Sequence, residues 1–133
     1  MNIPRVMRLA RQAMAKSTAR CPGHRVGAVI AVGSRYVTGW AQYRRWTVMS
    51  TVQTLHAEVH ALRRLQLKRY THAHRISSTE LLKDAVVAVY REAAGKPALA
   101  RPCQGCLGHL KEAGIGWIAY SVPDDRQYAV EAI

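Results

Sequence analysis

Apolar positions recur at helical spacing at the start of the chain: Ile3, Val6, Met7, Ala10, Ala13 and Met14 share one face, with Arg5, Arg8 and Arg11 on the other. The pattern predicts an amphipathic helix over 3–16 that packs against a larger layer. After Pro22-Gly23 the period changes. Val26 to Val32 is a run rich in valine and isoleucine, Gly33-Ser34 is a turn, and Tyr36 to Gly39 follows, so an antiparallel hairpin is expected. Gln42 to Val52 shows no periodicity and reads as a loop. Leu55, Val59, Leu62 and Leu65 return to helical spacing and predict a helix to about Lys68, with His56 and Glu58 in its first turn. The polar stretch Arg69 to Ser78 reads as a surface connection or insert.

Ala85 to Tyr90 is expected as a third strand, Gly95-Lys96-Pro97 as a turn, and Ala98 to Arg101 as a short extended run. Pro102 suits the start of a helix that ends at Gly114, since proline is tolerated in a first turn and glycine is favoured just past the last. Trp117 to Val122 reads as a fourth strand. Pro123-Asp124-Asp125 reverses the chain, and Gln127 to Ile133 returns as an antiparallel edge strand. No repeat, linker or low-complexity segment interrupts residues 1–133, which read as a single α/β domain.

A chain of 133 residues that is 49% hydrophobic has the means to bury a core. No stretch approaches the roughly 18 continuous apolar residues of a membrane span. The arginines spread through Met1 to Lys16 do not follow a signal-peptide layout. A cytoplasmic protein with no membrane partner is expected. Three cysteines give no disulfide framework, which agrees with a reducing compartment.

Charge changes the picture. The formal net charge is +12, and nine arginines and lysines precede the first carboxylate, Glu58. Such a field favours a polyanionic partner, because each neutralised phosphate releases counterions. A solvated basic surface is the alternative. Tyr43-Arg44-Arg45-Trp46 is the segment best suited to nucleic acid, with cations for phosphates and rings on which bases stack. It equally suits a loop whose rings close the core.

His56-Ala57-Glu58 and Pro102-Cys103-Gln104-Gly105-Cys106 carry the chemistry. A Cys-x-x-Cys pair alone also serves structural zinc and redox dithiols. Joined to His-x-Glu, it offers one imidazole and two thiolates as ligands, leaves a fourth corner for water, and places a carboxylate two residues from the histidine to move protons. Together the two pieces match the H-x-E…P-C-x-x-C signature of zinc-dependent nucleobase deaminases.

The chain resembles the cytidine/deoxycytidylate deaminase superfamily, in particular its small single-domain bacterial and phage members. RVGAVIAV, the Gly33-Ser34 turn and YVTGW resemble its opening hairpin. LHAEVHAL and RPCQGCLGHLKEAGIGWIAYS resemble its two zinc-bearing helices and the strand that follows. The resemblance implies a three-layer α/β/α fold with a mixed sheet of about five strands, Zn²⁺ on His56, Cys103 and Cys106, and Glu58 as acid/base in the hydrolytic conversion of cytosine to uracil. It also implies backbone contacts to the base at Ala57 and along Ala100-Arg101.

Many members carry an asparagine shortly after the second strand, where it contacts sugar or base. This chain reads Gly39-Trp40-Ala41-Gln42-Tyr43 there, and Gln42 is the available substitute. On the charge and the Tyr43 to Trp46 segment, the substrate is read as single-stranded nucleic acid, DNA favoured, with a free cytidine nucleotide as the alternative. Adenosine deamination in RNA and a non-enzymatic zinc-stabilised nucleic-acid-binding domain are more remote. A homo-oligomer is compatible with the family. His60 reads as a packing or supporting group, Cys21 and His24 as turn and strand-edge residues, and His72, His74 and His109 as surface groups. Trp117 and Tyr120 read as core or subunit contacts.

Overall fold

The valine- and isoleucine-rich run forms strand β1 (Val26–Val32), and its five central residues are buried. A strand that is apolar at successive positions needs cover on both faces, and it has it. Val29 and Ala31 pack against Val6, Met7 and Ala10 of helix α1 (Ile3–Met14). Ala28 and Ile30 point the opposite way, into a larger cluster that contains Ala61, Leu62 and Leu65 of helix α2 (Ala57–Thr71) and Leu110 of helix α3 (Gln104–Glu112). Each fully buried leucine or isoleucine contributes roughly 1.5–3 kcal/mol relative to its exposed state.

The computed structural model describes residues 2–17, 25–45, 52–71 and 82–133. The remaining strands are β2 (Arg35–Trp40), β3 (Gln42–Arg45), β4 (Val52–Leu55), β5 (Val86–Ala93), β6 (Lys96–Ala98), β7 (Trp117–Ser121) and β8 (Tyr128–Ala132). The main sheet has the order β2-β1-β5-β7-β8, with β6 paired to β5 as its sixth strand. β5 and β7 are parallel and the other pairs antiparallel, so the sheet is mixed. With α1 on one face and α2 and α3 on the other, the architecture is the expected three-layer α/β/α. The five expected strands form its main path.

Several boundaries differ from the sequence reading. Gln42 to Val52 is not simply a loop: β3 and β4 pair in a separate two-stranded sheet, with Gln42 opposite Leu55 and Arg45 opposite Val52. Strands of four residues with consecutive polar side chains carry too little alternation for a periodicity to register. Leu55 consequently ends β4 instead of opening the helix. The turn expected at Gly95-Lys96-Pro97 lies one residue earlier. Ala94 and Gly95, at φ 53° and 76°, form a two-residue left-handed turn that sets Ala93 opposite Lys96. Pro97 then sits in β6, an edge position where no amide is needed for a ladder.

Helix α3 starts two residues after Pro102, with Cys103 as its cap, and its far end matches expectation. Gly114 takes φ 91° and donates to Lys111 O, while Ile115 N–H reaches back to Leu110 O. This paired closure satisfies the last carbonyls of the helix. Tyr120 is buried in the core, and Trp117 is 43% exposed at the start of β7.

Candidate active site

β4 delivers the chain to His56, and α2 starts at the next residue. The His56 carbonyl accepts the first helical bond from His60 N–H at 2.9 Å, which makes His56 the cap and frees its imidazole from the helix. Cys103 plays the same part for α3. Its backbone is extended (φ −68°, ψ 166°), its carbonyl accepts from Leu107 N–H, and its thiol caps nothing. Cys106 follows in the first turn and is buried.

Two helix starts therefore bring three donors together. His56 Nδ1 lies 3.2 Å from Cys106 Sγ and 3.9 Å from Cys103 Sγ, and all three donor atoms lie within 4.8 Å of one another. A tetrahedral zinc with bonds of about 2.0 Å to nitrogen and 2.3 Å to sulfur has donor-to-donor edges of roughly 3.5–3.8 Å. The two nitrogen-to-sulfur distances lie within about 0.4 Å of those edges, so the donor set suits the ion.

Burial pushes the Cys106 thiol well above its usual range, and the Glu58 carboxylate and the Cys103 sulfur add to the effect. The positive end of the α3 dipole works in the other direction, but Cys106 holds its proton in neutral solution until a cation displaces it. Zinc affinity is thus expected to fall about tenfold per pH unit of acidification through the neutral range on account of Cys106 alone. Competition with a zinc chelator across a pH series measures this slope.

Glu58 occupies the first turn of α2 and is 5% exposed. Ala57, beside it, is buried at the helix start. The Gln42 amide lies 3.3–3.4 Å from the ring nitrogens of His60. The His60 Nδ1 also accepts the Trp40 N–H at 3.1 Å, and its ring meets the Trp40 indole edge-on. His60 thus supports the join between α2 and β2. Arg101 directs its guanidinium to Glu131 of β8, at 2.9 Å, and the same carboxylate oxygen accepts from Tyr120 OH. The Arg101 guanidinium, ahead of the Tyr120 hydroxyl, holds the Glu131 carboxyl below the usual carboxylate range.

Tyr43, Arg44 and Arg45 lie in β3, whose backbone runs alongside the strand that delivers His56. Trp46, Cys21, His24, His72 and His74 fall outside the described residues. His109 is exposed on α3. Sequence reasoning missed the surroundings of Trp40, whose ring has Lys16 Nζ 5.0 Å and the Arg64 guanidinium 5.1 Å from its centroid. It also missed Ser17 and Ser121, which with Glu58 are the buried polar residues among those described. Lone serines and a glycine-linked tryptophan leave no local signal.

No helix among the described residues is long and apolar enough to cross a membrane. Comparison with solved structures finds the same fold in cytidine deaminase from Burkholderia pseudomallei, at 17% identity over 99% of this chain and 93% of that one, with a TM-score of 0.66. A glutamate-to-glutamine mutant of the Mycobacterium tuberculosis cytidine deaminase is 21% identical over 92% of this chain and 87% of that one, with a TM-score of 0.59. The Mycobacterium leprae cytidine deaminase is 20% identical over 98% and 93%, with a TM-score of 0.55. No curated protein matches the sequence. The model of the cytidine and deoxycytidylate deaminase zinc-binding region matches residues 1–122, nearly the whole chain. With that match over residues 1–122, and with His56, Cys103 and Cys106 grouped as a potential metal site, the chain belongs to the cytidine and deoxycytidylate deaminases and is a zinc-dependent hydrolase.

Proposed function

We propose that residues 1–133 act as one domain that deaminates cytosine within single-stranded DNA, with His56, Cys103 and Cys106 as the metal ligands and Glu58 as the acid/base. The observation that carries the chemical part is the buried Glu58 carboxylate beside the donor cluster. Zinc, when bound, supplies the activation of water for attack on an amidine carbon. Glu58 takes a proton from that water and delivers it to N3 of the base as oxygen bonds to C4. It then takes the proton of the new C4 hydroxyl and passes it to the departing amine. The C4–N bond breaks, ammonia leaves and uracil remains. The backbone at Ala57 and at Ala100-Arg101 holds the base.

The polynucleotide substrate is supported by the net charge of +12 and by the position of Tyr43 to Arg45 in a strand alongside β4. The basic face of α1 contributes less than the sequence suggests. It packs on the opposite side of the sheet from α2 and α3, and Arg11 is paired with Glu92 at 3.0 Å. A deoxycytidylate deaminase is therefore the second reading, since a single phosphate needs only one or two cations.

Turnover of a cytosine-containing single-stranded oligonucleotide and of deoxycytidylate, each across a salt series, separates the two. Three neutralised phosphates on a single strand cost on the order of 20-fold in affinity between about 50 and 200 mM salt. Oligonucleotide conversion with that steep decline is the expected result. Conversion of deoxycytidylate alone, with little response to salt, assigns the chain to nucleotide metabolism and its charge to solvated surface.

A further inference from the structure

Two hydroxyls that the chemistry does not use are buried about as deeply as Glu58: Ser121, at the end of β7, and Ser17, just beyond α1. A buried hydroxyl costs free energy unless it is bonded, and both are bonded to backbone. Ser121 Oγ donates to Ala98 O at 2.6 Å, and Ser17 Oγ donates to Ala41 O at 2.9 Å. Each carbonyl belongs to a point where one strand gives way to the next segment of the chain. Ala98 ends β6 and is followed by the irregular run that reaches Cys103. Ala41 separates β2 from β3 and immediately precedes Gln42.

The bonds around Ser121 are extensive. The paired register of β5 and β7 stops at Val89 and Tyr120. Beyond it, Ser121 Oγ accepts the Arg91 N–H at 3.1 Å, and the Ser121 carbonyl accepts the Ala100 N–H at 3.0 Å. One residue thus joins β5, the end of β6 and the run to the cysteine. The Arg91 side chain adds a bond from Nε to Leu99 O at 3.0 Å. Ala41 is likewise fixed from two directions, since its N–H donates to Val26 O at 2.9 Å while its carbonyl accepts from Ser17.

We propose that Ser121 and Ser17 are positioning residues with separate tasks. Ser121 sets the path of Ala98 to Cys103, and through it the Cys103 corner of the metal cluster. Ser17 sets Ala41 and the start of β3 on the substrate side and leaves the metal cluster untouched. This inference rests on the assignment of His56, Cys103 and Cys106 as ligands.

The test compares Ser121→Ala and Ser17→Ala with the unmodified protein. Zinc affinity is measured by chelator competition, the thiolate-to-cobalt absorption of the cobalt-loaded protein is recorded, and kcat and KM are determined on whichever cytosine substrate is converted. Loss of a group bonded directly to a metal ligand weakens metal binding by about 10–100-fold, and Ser121 acts one step further out, through the backbone. Ser121→Ala is expected to weaken zinc binding by about 10-fold, the low end of that range, and to shift the cobalt spectrum. Ser17→Ala is expected to keep metal affinity and spectrum while KM rises several-fold. Ser121→Cys, close in volume but a weak donor, serves if the alanine variant does not fold, and Ser17→Thr, which keeps a hydroxyl, is expected to restore KM. Unmodified protein that binds no zinc overturns the ligand assignment itself. Normal zinc binding by both the unmodified and the Ser121 variants, or equal metal loss in both alanine variants, overturns this inference alone.

Discussion

Glu58→Gln is expected to lower turnover by about 10²–10⁴-fold, the span attributed to a positioned acid/base, while zinc stays bound. Glutamine keeps the shape of the side chain, so the buried first turn of α2 has no cavity to collapse into. The amide neither takes a proton from water nor delivers one to the base. The three ligand atoms come from other residues and are unaffected. Metal content and kcat measured on the same preparation separate this outcome from misfolding. Turnover within a few-fold of the unmodified enzyme would remove Glu58 from the chemistry.

Gly39→Ala is expected to damage the site from the other side of the helix. Gly39 lies in β2, where α2 packs so closely that an added Cβ would sit 2.5 Å from Ala57 O, 2.8 Å from Ala61 Cα and nearer still to Ala61 N. These are backbone atoms of the first turns of α2, so no side chain can swing aside. Relief requires the helix to lift from the sheet, and Ala57 and Glu58 go with it. Overpacking of this kind costs about 1–3 kcal/mol in stability, and a displacement of about 1 Å at the reacting groups costs on the order of 100-fold in rate. Gly108→Ala, on a face of α3 with nothing within 4 Å of the added carbon, is the matched control. It is expected to stabilise the helix by up to about 1 kcal/mol with full activity. Urea unfolding and kcat on both variants check the pair.

The parts of this molecule legible in its sequence are those set by contacts along one element. The helical stripe of α1 and the apolar runs of β1, β5 and β7 carry their periodicity or burial within a few residues, and each appears close to where it was expected. The donor cluster was legible for the same reason, because two short local motifs each place their donors at a helix start. Contacts between distant residues were not legible. The Gln42 amide is separated from His60 by 18 positions, and its engagement there depends on how β2 meets α2. Ser17 and Ala41 are 24 positions apart, and Ser121 and Ala98 are 23. The guanidinium of Arg101 turns to Glu131 because β8 returns beside β7, a partnership that spans 30 positions. The charge total was legible as well, but its placement was not: the α1 arginines face away from the side of the sheet that carries the site.

The most direct measurement is the fate of oxygen when zinc-loaded protein acts on cytosine in heavy-oxygen water, with the oligonucleotide and deoxycytidylate assayed side by side and the product weighed by mass spectrometry. Hydrolytic deamination at this site should place one heavy oxygen on each uracil formed, in a reaction that stops with a zinc chelator and with Glu58→Gln. Uracil formed undiminished by the Glu58 variant, or no conversion of either substrate by protein with its zinc in place, would contradict the assignment of this chemistry to His56, Cys103, Cys106 and Glu58.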